Sequence, residues 1–251
     1  MSEKYKMYNG SVILEFNEKK HYYTANGIPV DGTTSILGIK AKPALMYWAV
    51  NQACEYLEKN LEVGKSVDEI EKKTLIEGAK KAHREFKNKS ADYGTMLHNI
   101  IERHVKKLPY EEPNNEKLRD GLALFKNWME ENKVEVLGSE RKVFSKKYSF
   151  AGTVDLILKI NGKVTVADFK TSSGIYDTYW MQNAAYRLCL LEEFPNHSIE
   201  DLAVVRCGRD GSFEAQSLNH NLKGKTSLEE VEQAFVSALK LHRWTKQFNK
   251  K

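Results

Sequence analysis

Gly152-Thr-Val-Asp155-Leu-Ile-Leu-Lys-Ile160-Asn-Gly162-Lys-Val-Thr-Val-Ala-Asp168-Phe-Lys170-Thr171 is the stretch on which the fold turns. Two runs rich in Val, Ile and Leu flank Asn161-Gly162, and Asn-Gly between such runs is the strongest short signal for a two-residue hairpin. That turn sets Ile160 opposite Lys163. Counting outward places Asp155 opposite Asp168 and Thr153 opposite Lys170. All four share one face, because strand side chains alternate. Opposed residues have Cβ atoms about 5 Å apart, and like charges there repel. A purely structural hairpin has no use for two opposed aspartates in apolar strands. A divalent cation between them removes the repulsion, and carboxylates suit Mg²⁺ or Mn²⁺.

The rest of the chain has to supply a body for this hairpin. At 251 residues it makes one large domain or two small ones, with 41% hydrophobic and 29% charged residues, an ordinary globular balance. No apolar run approaches the ~20 residues of a membrane span, which excludes a membrane partner of that kind. The opening Met1-Ser-Glu-Lys lacks the apolar core of a signal peptide, so the expected location is cytoplasmic. A net charge of +5 permits a nucleic-acid partner without requiring one. Cys54, Cys189 and Cys207 are scattered and odd in number, which argues against zinc, an iron–sulfur cluster or a disulfide framework. They read as buried, reduced thiols.

Upstream, Val12–Phe16 and His21–Thr24 form a short hairpin. Asp31-Gly-Thr-Thr-Ser35 reads as a run of caps for a short helix. Pro43 opens a helix to about Leu61, on which Leu45, Trp48, Ala49, Gln52, Ala53 and Tyr56 share one face. Gly64-Lys65-Ser66 lacks the first glycine of a phosphate-binding loop, so no nucleotide is expected there. Residues 67–90 read as a charged helix, broken at Asp92-Tyr-Gly-Thr95, after which a new helix carries His98 and Glu102 on one face. A helix at 115–132 presents Leu118, Leu122, Phe125, Trp128 and Met129. Downstream come a strand at 134–144 with Glu140, the hairpin, a helix at 178–193, strands at 201–207 and 212–218, and a helix at 227–248. This order predicts an α/β protein with a mixed sheet.

Gly152-Thr-Val-Asp155, Asp168-Phe-Lys170, and Gln182-Asn-Ala-Ala-Tyr186 on the next helix, preceded by His98 on an earlier one, form an ordered set. This set resembles the PD-(D/E)XK nuclease superfamily in its RecB-like exonuclease branch, over residues 94–206. The segment around Thr33-Thr-Ser-Ile-Leu37 and Lys42-Pro-Ala-Leu-Met-Tyr-Trp48 is similar to phage-encoded and mitochondrial members, with less specificity. The resemblance implies a restriction-endonuclease-like core in residues 93–251 and an N-terminal hairpin and helical cap in residues 1–92. It implies catalytic Asp155, Asp168 and Lys170, and a cation, one or two ions of Mg²⁺ or Mn²⁺, held by His98, Asp155, Asp168 and the Phe169 backbone carbonyl. Gln182, Tyr186, Glu102, Glu140, Thr153 and Thr171 would line the site or support it. Some relatives carry four cysteines for an iron–sulfur cluster, which this chain cannot match.

The function so implied is metal-dependent hydrolysis of DNA phosphodiesters, acting on single strands or free ends, in DNA repair, replication or recombination. Carboxylate-held metal ions neutralise the phosphate and activate water, and Lys170 beside them orients that water and stabilises negative charge. In similar proteins N-terminal helices arch over the site, a role for which Lys40, Lys42, Lys80, Lys81 and Arg84, with Tyr47, Trp48 and Tyr93, are available. A structure-specific or restriction-type endonuclease of the same fold, and a non-catalytic nucleic-acid-binding module, are the alternatives. The acidic pair argues against the last, since binding alone calls for basic and stacking residues.

Overall fold

The computed structural model describes residues 2–248. They fall into two compact units. One takes the chain up to Lys40 and again from Leu97, and the other is Ala41–Met96.

The first unit is built on a nine-stranded mixed sheet. Strands β1 (Ser2–Met7), β2 (Val12–Asn17), β3 (Tyr22–Ala25) and β4 (Ile28–Gly32) form an antiparallel meander. Next come α1 (Thr33–Leu37), α2 (Pro43–Asn60), α3 (Glu69–Val105) and α4 (Glu116–Glu131). β5 (Glu135–Ser145), β6 (Phe150–Ile160) and β7 (Lys163–Lys170) follow, then α5 (Asp177–Glu193) and β8 (Asp201–Cys207). β9 (Phe213–Ser217), α6 (Leu218–Asn221) and α7 (Leu228–Phe248) complete the chain. β5, β6 and β7 run antiparallel in turn, β8 lies parallel to β7, and β9 antiparallel to β8.

Helices α1, α5 and α7 cover one face of the sheet, where Phe150, Val154, Val166 and Val204 meet Ala184, Ala185 and Phe235. On the other face Leu156, Leu158, Ala167 and Ala203 pack with Val105 of α3 and Trp128 of α4. α4 begins where its cap says it should: the Asn115 side chain accepts the Leu118 N–H at 3.2 Å. α7 begins on a capping box, in which Ser227 and Glu230 each accept the other's backbone N–H.

Strand β6 carries the decisive irregularity. One of its edges is shared between two partners. β4 takes Phe150 and Ala151, and β7 takes Leu156–Ile160. Between them Gly152, Thr153, Val154 and Asp155 have no ladder pair on that edge. The hairpin turn and its register hold as far as Leu156 opposite Ala167. The expected pairs Asp155–Asp168 and Thr153–Lys170 are not formed, because β7 leaves β6 there to continue on β8. Lys170 is paired with Arg206, and Thr153 with Lys142. The faces change at this point as well. Val154 packs on the α5 side and Leu156, two residues on, on the opposite side. Simple alternation through Asp155 therefore fails.

Three further expectations are corrected. No break interrupts the helix at residues 92–95. α3 runs unbroken for 37 residues, and the roughly 1 kcal/mol that Gly94 costs in a helix interior is outweighed by the helical sequence on both sides. The Asp31–Ser35 run does not cap α1 with side chains. Thr33 Oγ1 donates to the Ala151 carbonyl at 3.0 Å instead, and Asp31 binds Arg243, Lys246 and His242 of α7. Cys54 is exposed, while Cys189 and Cys207 are buried, and all three are free. Strands β1 and β4 were not legible in advance. Half of β1 is charged, and Pro29 in β4 reads as a strand breaker.

In the second unit α2 has no fully buried residue. Trp48, Ala49, Gln52, Ala53 and Tyr56 are half-buried, but Leu45 is exposed. Trp48 meets Phe86 edge-on at 5.5 Å, and Tyr56 lies across Gly78, where any side chain would collide with its ring.

Candidate metal and catalytic site

The unpaired edge of β6 is where the site residues converge. Asp155 Oδ2 accepts the Phe169 N–H at 2.9 Å, a bond from a side chain where the ladder would otherwise supply a carbonyl. Because β7 peels away at this point, that N–H needs a partner and Asp155 provides it. The Phe169 carbonyl faces α3, 3.1 Å from His98 Nε2. The His98 and Phe169 rings meet edge-on at 5.2 Å, and Phe125 of α4 packs on Phe169 from the same side. His98 is thereby fixed by both backbone and ring.

Glu140 joins them from β5. The register brackets it between Ser139–Leu156 and Arg141–Val154, opposite Asp155. Its φ of 52° lies in the left-handed region, which is costly for a residue with a Cβ and turns the side chain off the regular alternation. Among the described residues His98, Glu140 and Asp155 are the group whose ligand atoms all lie within 4.8 Å of one another. All three are half-buried. Burial, and then the charge of Asp155, push the Glu140 carboxyl up to about 7. Two carboxylates this close in a half-buried place favour holding a proton or a cation, although Lys142 and Lys106 offset part of their charge.

Asp168 lies outside that group of three. It is fully buried, with Oδ1 accepting from Gln182 Nε2 at 3.0 Å. Its Oδ2 is 2.5 Å from Lys170 Nζ, off the hydrogen-bonding direction, and has no hydrogen-bond partner. Burial first, and Asp155 with it, raise the Asp168 carboxyl despite the nearby ammonium. Burial opposes charge on Lys170, but Asp168 and Asp155 more than compensate and hold the ammonium protonated. Gln182 also donates to Tyr186 Oη at 2.8 Å, and Tyr186 lies against Gly152. A continuous chain thus runs from Lys170 through Asp168 and Gln182 to Tyr186, and back to the start of the unpaired edge.

The remaining residues singled out from sequence sit around this centre. Glu102 is ion-paired with Lys106 one turn on, and its charge reaches Glu140. Thr153 bonds Tyr23 of the meander at 2.9 Å, hydroxyl to hydroxyl. Thr171 is half-buried at the end of β7. The place of Glu140 among the ligand atoms is not legible in the sequence, because nothing in a strand pattern reveals a left-handed residue. Nor is that of Tyr23, whose partner is 130 positions away.

His98, Glu140 and Asp155 are of the donor types that could hold a hard divalent cation, and the Phe169 carbonyl oxygen, 3.1 Å from His98 Nε2, lies next to them. Asp168 Oδ2 stands beside them, ion-paired with Lys170 and without a well-directed hydrogen bond. No helix of the described residues is long and apolar enough to cross a membrane. Comparison with family models and with curated proteins yields no match to this chain.

Proposed function

We propose that this chain is a metal-dependent nuclease that hydrolyses DNA phosphodiesters at single strands or free ends, on a core of the PD-(D/E)XK type. The single observation that carries it is the convergence of His98, Glu140 and Asp155, with the Phe169 carbonyl at His98, beside the ion pair of buried Asp168 and half-buried Lys170. A structural sheet gains nothing from collecting three carboxylates, an imidazole and an ammonium where its own ladder is interrupted.

His98, Glu140, Asp155 and the Phe169 carbonyl would hold Mg²⁺ or Mn²⁺, with Asp168 Oδ2 turning from Lys170 to join them. Such an ion supplies charge neutralisation at the phosphate and acidifies water at neutral pH. The protein's own groups do the rest. Lys170 keeps a positive charge next to the reacting phosphate, orients the incoming water and stabilises the negative charge that develops. Gln182 fixes the plane of the Asp168 carboxylate, and Tyr186 fixes Gln182.

Incubation of labelled linear and covalently closed circular single-stranded DNA with Mg²⁺, Mn²⁺ or EDTA tests this reading. Metal-dependent degradation of the linear strand with survival of the circle is the expected result. Cutting of the circle would establish an endonuclease on the same site, and no cleavage of either would overturn the proposal.

A further inference from the structure

Two tyrosines beside Lys170 have no part in the chemistry above. Tyr179, in the first turn of α5, has its ring centre 5.0 Å from the Lys170 ammonium. Tyr176, just ahead of α5, meets Tyr179 edge-on at 5.6 Å. Tyr179 is half-buried, whereas 48% of Tyr176 is open to solvent. The exposed ring is held in place, since its hydroxyl bonds Ser173 Oγ at 2.9 Å. The loop beneath it is held too, by Ser172 Oγ donating to the Gly174 carbonyl at 2.8 Å and by Arg206 reaching the Ser172 carbonyl at 3.3 Å.

An exposed aromatic alone is commonplace. This one is anchored at its polar end and meets the ring of Tyr179, which in turn lies against the Lys170 ammonium that would touch the reacting phosphate. Resting on the nuclease reading, we propose that Tyr176, braced edge-on by Tyr179, is a stacking platform for the base next to the scissile phosphate, so that the substrate is an unpaired strand. A base within a duplex has its faces covered by its neighbours and offers only its edges to a protein. A ring face can be used only by a base that has left the stack. Stacking is indifferent to sequence, because every base has a π-face, so this platform selects unpaired DNA without selecting its sequence. Lys40, ion-paired with Asp177 at the start of α5 and partly exposed, sets a cation on the same rim.

The test is a substrate-side double cycle read in EDTA, where no cleavage competes. Affinity of a short labelled single strand is measured by fluorescence anisotropy at fixed salt, intact and with one abasic position moved along it. For the native chain, one abasic position should weaken binding about tenfold, within the range of the effect of one stacked base. Tyr176→Ala should show that loss with the intact strand and no further loss at that position. Tyr176→Phe, which keeps the ring, should stay within about threefold of the native chain. Additive losses, a Phe variant as weak as the Ala variant, or equally tight binding of a blunt hairpin duplex would overturn the platform. Cleavage in Mg²⁺, run in parallel, judges the nuclease reading independently of this binding result.

Discussion

Gly152 and Tyr186 occupy space that only a glycine leaves free. A Cβ on Gly152 would collide with Tyr186 Cε1 and lie 2.8 Å from Thr33 Oγ1. Gly152→Ala must therefore push Tyr186 away, and with it Gln182 and the plane of Asp168. The expected result is a loss of about 1–3 kcal/mol in stability, as for other overpacked sites, with a fall in cleavage rate beyond tenfold. Thermal melts beside single-turnover rates check both. A variant with native rate would show that Tyr186 does not transmit to the site.

Asp155 has two duties, which two substitutions separate. Asp155→Asn keeps an acceptor for the Phe169 N–H and removes the charge. It should melt within a few degrees of the native protein and lose cleavage. Asp155→Ala leaves that N–H without its partner and should cost a further 1–3 kcal/mol or so. Relief of carboxylate repulsion acts in the opposite direction, and both substitutions share it, so their difference reports the bond. Equal melting temperatures for the two variants would contradict the role assigned to the bond.

Glu140 stores backbone strain at the site. Glu140→Gly removes the left-handed penalty of roughly 1–2 kcal/mol and one carboxylate from the cluster. The variant should be more stable than the native chain in metal-free buffer and should bind Mn²⁺ at least tenfold more weakly by calorimetric titration. Unchanged Mn²⁺ affinity would remove Glu140 from the ligand set.

Acid should loosen the end of α7 through Asp31. Burial alone would raise this carboxyl, but Lys246, Arg243 and His242 outweigh it and hold it below the ordinary carboxylate range. A depressed folded-state pKa means the stabilisation is complete above the unfolded pKa, about 3.9. It is lost as pH falls below that value through the folded one. Asp31→Asn should lower the melting temperature at neutral pH and flatten its dependence on pH below about 4. Parallel acid limbs in variant and native chain would exclude Asp31 as the titrating tether.

The sheet region was legible from Val134 onward because its signals are local. Asn161-Gly162 demands left-handed backbone, and both residues have positive φ. The β8 boundaries and the helical stripe of Leu118, Leu122 and Phe125 follow from periodicity in the same way. The meander strands β1 and β4 were obscure, since a charged strand and a proline-containing one carry no pattern. The long α3 was misread at Gly94, where a local penalty was taken for a boundary.

By itself the sequence determined the hairpin, its register as far as Leu156, and the presence of His98, Asp155, Asp168, Lys170, Gln182 and Tyr186 on elements able to meet. These rest on interactions between near neighbours in the chain. Only the tertiary structure decided that β6 divides one edge between β4 and β7. Pairing across more than 100 positions opens the gap at Gly152–Asp155, hands the Phe169 N–H to Asp155, and turns Glu140 inward toward His98. Where two partners compete for one strand edge, the backbone hydrogen bonds left over must be met by side chains, and a linear pattern cannot say which.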